Sequence, residues 1–169
     1  MMLHIASDET QSSLTNVKQE DIQPNAVDLR VAKIFKMKNE TFILSDPENK
    51  KVHRGSVEIP TLYDTNWWRL NPGTYEIVME NIVSVGPDEA GWVITRSTLN
   101  RNGVFITSGL YDSGYHGVMA GALHVTNGPV EIERGTRVGQ FLLFKAQALS
   151  AYEGSYGLKS EHDKKYTGE

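Results

Sequence analysis

Three groups of residues in this chain have the types and spacing that chemistry on a phosphorylated nucleotide requires. Gly109-Leu110-Tyr111-Asp112-Ser113-Gly114-Tyr115-His116-Gly117-Val118-Met119 sets an acid three residues before an aromatic, in a glycine-bounded turn between apolar runs. Arg96-Ser97 stands a short hairpin upstream, and Gly135-Thr136-Arg137-Val138-Gly139-Gln140 follows downstream. A carboxylate can hold a water and accept its proton as a P–O bond forms. A planar guanidinium matches phosphate oxygens, and an aromatic plate can lie against a sugar. Such a set makes a nucleotide-cleaving site if the fold brings its members together.

Each group also has an ordinary reading. Asp-Ser-Gly is common turn chemistry, in which Asp bonds its own backbone and Gly supplies the special torsion. Tyr115 alone reads as a half-buried strand aromatic, Arg96-Ser97 as a surface Arg and a turn Ser, and Gln140 as a solvated edge residue. Order and spacing, not any single residue, carry the chemical reading.

The elements that must position these groups read as strands. Residues 27–35 alternate apolar with polar, the period of a half-buried strand. Further strand candidates lie at 42–44, 57–59, 74–79, 81–85, 92–96, 104–107, 118–125, 130–132 and 138–146. Asn71-Pro72-Gly73 and Gly86-Pro87-Asp88 are turn signals. Turns recur about every 8–12 residues without a convincing long helix, the spacing of a sandwich or barrel. Residues 1–21 read as a polar N-terminal arm, with one short helix around 17–22 that must end before Pro24. Residues 22–148 form the β domain, and 149–169, charged and without apolar periodicity, read as a flexible tail.

Composition narrows the classes. A chain of 169 residues is one domain large enough to bury a core. Its 39% apolar and 22% charged residues argue against global disorder. The net charge of −4 argues against a dedicated nucleic-acid or anionic-membrane binder. With no cysteine, disulfides, thiolate metal sites and cysteine nucleophiles are excluded. No apolar run approaches the ~20 residues of a membrane span, and the start lacks the pattern of a signal peptide. The cytoplasm is the expected location.

Taken in order over residues 22–145, these segments resemble the trimeric dUTPase and dCTP deaminase superfamily. Ile22-Gln23-Pro24-Asn25-Ala26-Val27-Asp28-Leu29-Arg30 is similar to the deaminase branch's opening strand, and its Val-Asp-Leu-Arg core fits the first dUTPase motif. Arg96-Ser97-Thr98-Leu99-Asn100-Arg101 resembles the shared Arg-Ser motif in its deaminase form. The Asp112 segment resembles the third dUTPase motif, and residues 135–140 match Gly-x-Arg-(Ile/Val)-(Ala/Gly)-Gln.

The resemblance implies a mostly β, single-domain jelly-roll-like barrel of the dUTPase-like type with few short helices. It implies a homotrimer with sites at subunit interfaces, where Arg96 and Gln140 can come from different chains than Asp112. It further implies that Asp112 activates a water for attack on the α-phosphorus of dUTP, giving dUMP and pyrophosphate. Arg96, Ser97, Arg101 and Gln140 would serve as substrate donors. Tyr115 would lie against the deoxyribose, and Asp28 near a Mg²⁺ ion held through phosphates and water rather than by direct protein ligands.

Deamination in this superfamily needs a glutamate on the strand after the Asp motif, and Ala122 stands there. Alanine transfers no proton, and His124 is the nearby titratable group. The first expectation is therefore a dUTP diphosphatase. Second is a non-catalytic nucleotide-binding, regulatory or structural member of the fold, and third a dCTP deaminase. Two departures favour the second reading: Thr98 where dUTPases carry Gly, and the absence of the glycine-rich closing motif. In its place stands Tyr152-Glu153-Gly154-Ser155-Tyr156-Gly157-Leu158-Lys159, closer to the deaminase-branch tail, and Lys159, Lys164 and Lys165 could supply phosphate charge if that tail folds over the site.

Overall fold

The computed structural model describes residues 1–168. In chain order the first strands are β1 (Met2–Leu3), β2 (Ser13–Leu14), β3 (Val27–Met37), β4 (Ile43–Ser45), β5 (Lys50–Val52), β6 (Ser56–Glu58) and β7 (Trp67–Leu70). The remainder are β8 (Gly73–Ser84), β9 (Glu89–Thr95), β10 (Val104–Thr107), β11 (Leu110–Tyr111), β12 (His116–Val125), β13 (Val130–Glu133) and β14 (Arg137–Lys145). Two four-residue helices, α1 (Ser97–Asn100) and α2 (Lys164–Thr167), complete the set with a 3₁₀ turn at Gln19–Asp21. Among the described residues no helix is long and apolar enough to cross a membrane.

The expected β-rich barrel is what forms. The main sheet runs β10-β12-β8-β3-β14-β9-β11, with every pairing antiparallel. It curls until its β10 edge reaches β9. There the Thr95 hydroxyl donates to the Ile106 carbonyl at 3.1 Å and accepts from the Ile106 N–H at 2.7 Å. A side chain thus replaces ladder bonds where two backbones cannot meet, which satisfies groups that would otherwise be orphaned.

Alternation explains the core. On β14 Phe141 and Leu143 are buried while Gln140 and Leu142 stay partly exposed. They meet Val27, Leu29 and Val31 of β3, Ile77 of β8 and Met119 of β12 in one apolar cluster. Trp68 of β7 is fully buried in the same cluster, its indole N–H donating to the Ile59 carbonyl at 2.9 Å. Its truncation to alanine should cost about 3–5 kcal/mol.

Three expectations change. Residues 74–85, read as two strands, are mostly one, because buried Asn81 finds a partner: its amide donates to the Thr15 carbonyl at 2.7 Å. The polar N-terminal arm, read with one short helix and no strand, carries two: β1 pairs with β14, β2 pairs with β8, and Asp21 accepts from Arg30 at 2.6 Å. Residues 149–168, expected as a flexible tail, are docked on the barrel. Gly157, Asp163 and Tyr166 are buried, and the backbone N–H groups of Tyr152 and Leu158 donate to the carbonyls of Ser113 and His116. The apolar groups that hold this segment are aromatic rings widely spaced along the chain, so no helical or strand period marks them.

Candidate active site

The Asp112 turn is built by local backbone chemistry. β11 pairs with β9, Tyr111 lying opposite Gly91, and the chain then reverses, with the Tyr115 N–H donating to the Asp112 carbonyl at 3.0 Å. Gly114 sits at φ +84°, a conformation that favours glycine. The carboxylate does not cap this turn. Asp112 is exposed, and among the described residues no hydrogen bond or ion pair engages its side chain. Tyr115 is buried instead, its hydroxyl donating to the Val118 carbonyl at 2.8 Å and its ring 5.2 Å from that of Tyr111. Burial pushes the Tyr115 phenol well above its ordinary pKa, so it is a neutral donor.

A cavity of about 360 Å³ opens beside this turn. The β10–β12 ladder ends at Thr107 opposite Ala122, and β11 swings across to β9. The gap left behind is walled by Gly109, Leu110, Tyr111, Tyr115, Ala120 and Gly121. The far wall comes from Glu76 and from His53, Tyr156, His162, Asp163 and Tyr166. Asp112 lines a neighbouring cleft with residues of the 146–153 segment, and Leu110 and Tyr152 border both hollows.

Glu76 fastens the docked C-terminal segment. Its carboxylate accepts from the Lys165 ammonium at 2.9 and 3.0 Å, from the Ser56 hydroxyl at 3.0 Å, and from the Tyr166 hydroxyl. Burial alone would raise its pKa, but the Tyr166 and Lys165 hydrogen bonds outweigh it and the value is lowered. Sequence reasoning missed this residue. It lies directly across from Ala122 in the β8–β12 register, on the neighbouring strand.

A second cluster gathers the predicted phosphate donors. Asp28 of β3 lies opposite Gln140 of β14, and the Gln140 amide donates to its carboxylate at 3.0 Å. The same carboxylate, fully buried, takes Arg137 at 3.3 Å and Arg96 at 3.4 Å. Arg96 also donates to the Arg137 carbonyl at 3.3 Å. Asp28 is therefore an internal counter-ion that aims two guanidinium groups and an amide. Arg137 lies in the 135–140 motif, but nothing in its own sequence neighbourhood reveals a partner 109 residues away.

Ser97 follows Arg96 as an exposed residue, and Arg101 is exposed at the far end of α1. His124 is tied down on both ring nitrogens, Nδ1 to the Thr74 hydroxyl at 3.3 Å and Nε2 to the Thr107 hydroxyl at 3.0 Å, and it stacks on Phe105. That is a structural histidine. Among the described residues no group of three His, Cys, Asp or Glu side chains could hold a metal ion.

Within one chain the two halves stay apart. Asp112 lies beyond the Tyr111–Gly91 pair at one end of β9, while Arg96 follows the other end. The six residues of strand between those positions span about 20 Å.

Residues 3–146 match the dCTP deaminase-like family. A relative from Halobacterium salinarum, named as a probable deoxyuridine 5'-triphosphate nucleotidohydrolase, is 31% identical over 143 residues, covering 83% of this chain and 85% of its own. The deoxyuridine 5'-triphosphate nucleotidohydrolase of Methanocaldococcus jannaschii is 29% identical over 153 residues, 90% of this chain and 97% of its own. Among solved structures, the 2'-deoxycytidine 5'-triphosphate deaminase of Agrobacterium tumefaciens matches with a TM-score of 0.57 at 18% identity, over 77% of this chain. This chain spans 43% of that protein's length. The native dUTPase of EIAV matches with a TM-score of 0.51 at 15% identity, over 88% of this chain and 97% of its own. These structural likenesses show the fold.

Proposed function

The chain belongs to the dCTP deaminase-like family, and from that premise we propose that it hydrolyses dUTP to dUMP and pyrophosphate. One observation carries the reading: the Asp112 carboxylate is exposed and unengaged on a fixed turn beside a nucleoside-sized hollow. An unpaired carboxylate in that position can hold a water and take its proton as the water oxygen bonds to the α-phosphorus. The bond to the bridging oxygen breaks, and pyrophosphate leaves with the negative charge.

Arg96, Arg137 and Gln140, aimed by Asp28, supply planar forks and an amide to the phosphate oxygens. Since these donors stand about 20 Å from Asp112 along one chain, a complete site needs the donor cluster of a neighbouring copy. A homotrimer with shared sites supplies that arrangement. Ser97 and Arg101 extend the donor face, and Tyr115 underlies the sugar from a buried, neutral position.

A Mg²⁺ ion would be held through the substrate's phosphates and water rather than by direct protein ligands, and would offset the triphosphate charge. Asp28 does not suit an ion, because its oxygens are already engaged by Arg96, Arg137 and Gln140. Deamination is disfavoured: Ala122 carries no proton, His124 is tied on both nitrogens, and Glu76 is engaged by the C-terminal segment.

The test is pyrophosphate and ammonia release from dUTP, dCTP, dTTP and UTP by wild type and Asp112→Asn. The expected result is pyrophosphate from dUTP and a fall of about 10²–10⁴-fold in Asp112→Asn. Equal turnover in the two proteins removes Asp112 from the mechanism. Binding of dUTP without any product favours the non-catalytic reading, which the C-terminal rings lining the cavity would suit. Ammonia from dCTP restores the deaminase reading.

A further inference from the structure

A buried carboxylate outside the chemistry above fastens the Asp112 turn to the rest of the chain. Glu89 opens β9 and is 5% exposed. Its carboxylate accepts from the Thr10 hydroxyl at 2.7 Å, from the backbone N–H groups of Gln11 and Ser12 at 3.0 Å each, and from the Ser12 hydroxyl. Its backbone carbonyl receives the Ser113 hydroxyl at 2.6 Å, one residue from Asp112.

Neighbouring bonds complete a block. The Val85 carbonyl accepts from the Gly114 N–H at 3.0 Å, and the Val85 N–H donates to the Tyr115 carbonyl at 2.9 Å. The Ser12 hydroxyl oxygen accepts from the Gly86 N–H at 2.9 Å. A Cβ at Gly86 would stand 2.6 Å from the Gln11 Cβ, so the arm approaches this closely only because the position is glycine. Residues 85–89 are thus hydrogen-bonded to residues 10–12 on one side and to residues 113–115 on the other.

A buried charge with four donors is a demanding way to fill a core position, since apolar packing of the same volume is often equally stable. What it adds is fixed direction. We infer that Glu89 is a positioning residue for the proposed hydrolysis. It holds the turn, through Ser113, at the height and angle that aim the Asp112 carboxylate, and residues 10–12 hold Glu89 in turn. The inference rests on Asp112 acting as the water-activating base. A base displaced by about 1 Å still lets substrate bind but slows the step.

The experiment measures kcat, KM for Mg·dUTP and Tm in wild type, Glu89→Gln, Ser113→Ala, Asp112→Asn and Trp68→Phe. In Glu89→Gln the amide turns a donor toward donors, so kcat should fall about 10- to 100-fold with KM within about threefold. Ser113→Ala cuts the link to the turn without touching the buried carboxylate. Its kcat should fall in the same direction, which keeps the test intact if Glu89→Gln fails to fold. Trp68→Phe loosens the β7 side of the core, remote from the turn, and should keep its kcat at a comparable loss of Tm.

Glu89→Gln and Ser113→Ala with kcat within about twofold of wild type overturn the inference, as does a loss that appears in KM alone. A fall that Trp68→Phe reproduces also overturns it. Full turnover by Asp112→Asn instead defeats the proposed mechanism. An inactive Asp112→Asn beside normal Glu89→Gln and Ser113→Ala defeats only the positioning role.

Discussion

Asp112 and Asp28 are two carboxylates of one chain in opposite surroundings. Asp112 is exposed and unpaired, whereas Asp28 is fully buried and holds Arg96, Arg137 and Gln140. Replacing Asp28 with asparagine removes the charge that aims both arginines. KM for Mg·dUTP should rise about tenfold or more, with a smaller change in kcat, because a charge-assisted bond contributes about 1.5–3 kcal/mol. Steady-state kinetics checks this, and an unchanged KM would remove the cluster from substrate binding. At this scale the sequence made Asp112, Tyr115, Arg96 and Gln140 legible, because motif spacing marks them. It hid Arg137, Glu76 and Glu89 as partners, since their roles arise from residues 77 to 109 positions away. It also left open the fate of His124, which two threonine hydroxyls decide.

Among the elements, the docked segment 149–168 is attached in part through titratable groups. The exposed His53 ring lies 4.4 Å from that of His162, and partial desolvation by its neighbours, then His162, Lys51 and Lys165, hold its pKa below the ordinary value, with Glu76 pulling the other way. A histidine whose pKa is depressed on folding resists protonation, so its contribution is present at pH 7 and declines as pH falls through about 6.5. Glu76 behaves differently. Its lowered pKa gives stability that is present above the unfolded value of about 4.5 and lost as pH falls through the folded one. Limited proteolysis within 149–168 should therefore quicken in two stages on acidification, and His53→Phe should remove the first. Lys165→Ala should quicken cleavage at neutral pH by freeing Glu76, which a proteolysis time course would show. The longer strands were legible because apolar runs and turn signals are written locally, and β3 most plainly by its alternation. β7 was not, since it is only four residues long and pairs only with distant β13.

For the whole molecule, the proposed function requires assembly, because about 20 Å along β9 separates Asp112 from Arg96 within one chain. If sites are shared between copies, Asp112→Asn and Arg96→Ala should each be inactive alone yet complement one another. Co-refolding them in equal amounts should restore about a quarter of wild-type turnover, the chance that one site draws both intact residues. No recovery would place Asp112 and its donors in the same chain. The barrel itself was legible from turn spacing and composition, whereas its closure was not, because side-chain hydroxyls, those of Thr95 and Ser108, make it. The shared counter-ion has one more consequence. Two guanidinium groups divide one buried negative charge, so an acidic chain keeps a small electropositive spot at the resting donor cluster. Such a spot draws a polyanion only within a Debye length, about 8 Å at physiological ionic strength. Added salt should then slow capture of the nucleotide while leaving the rate of the bound complex untouched.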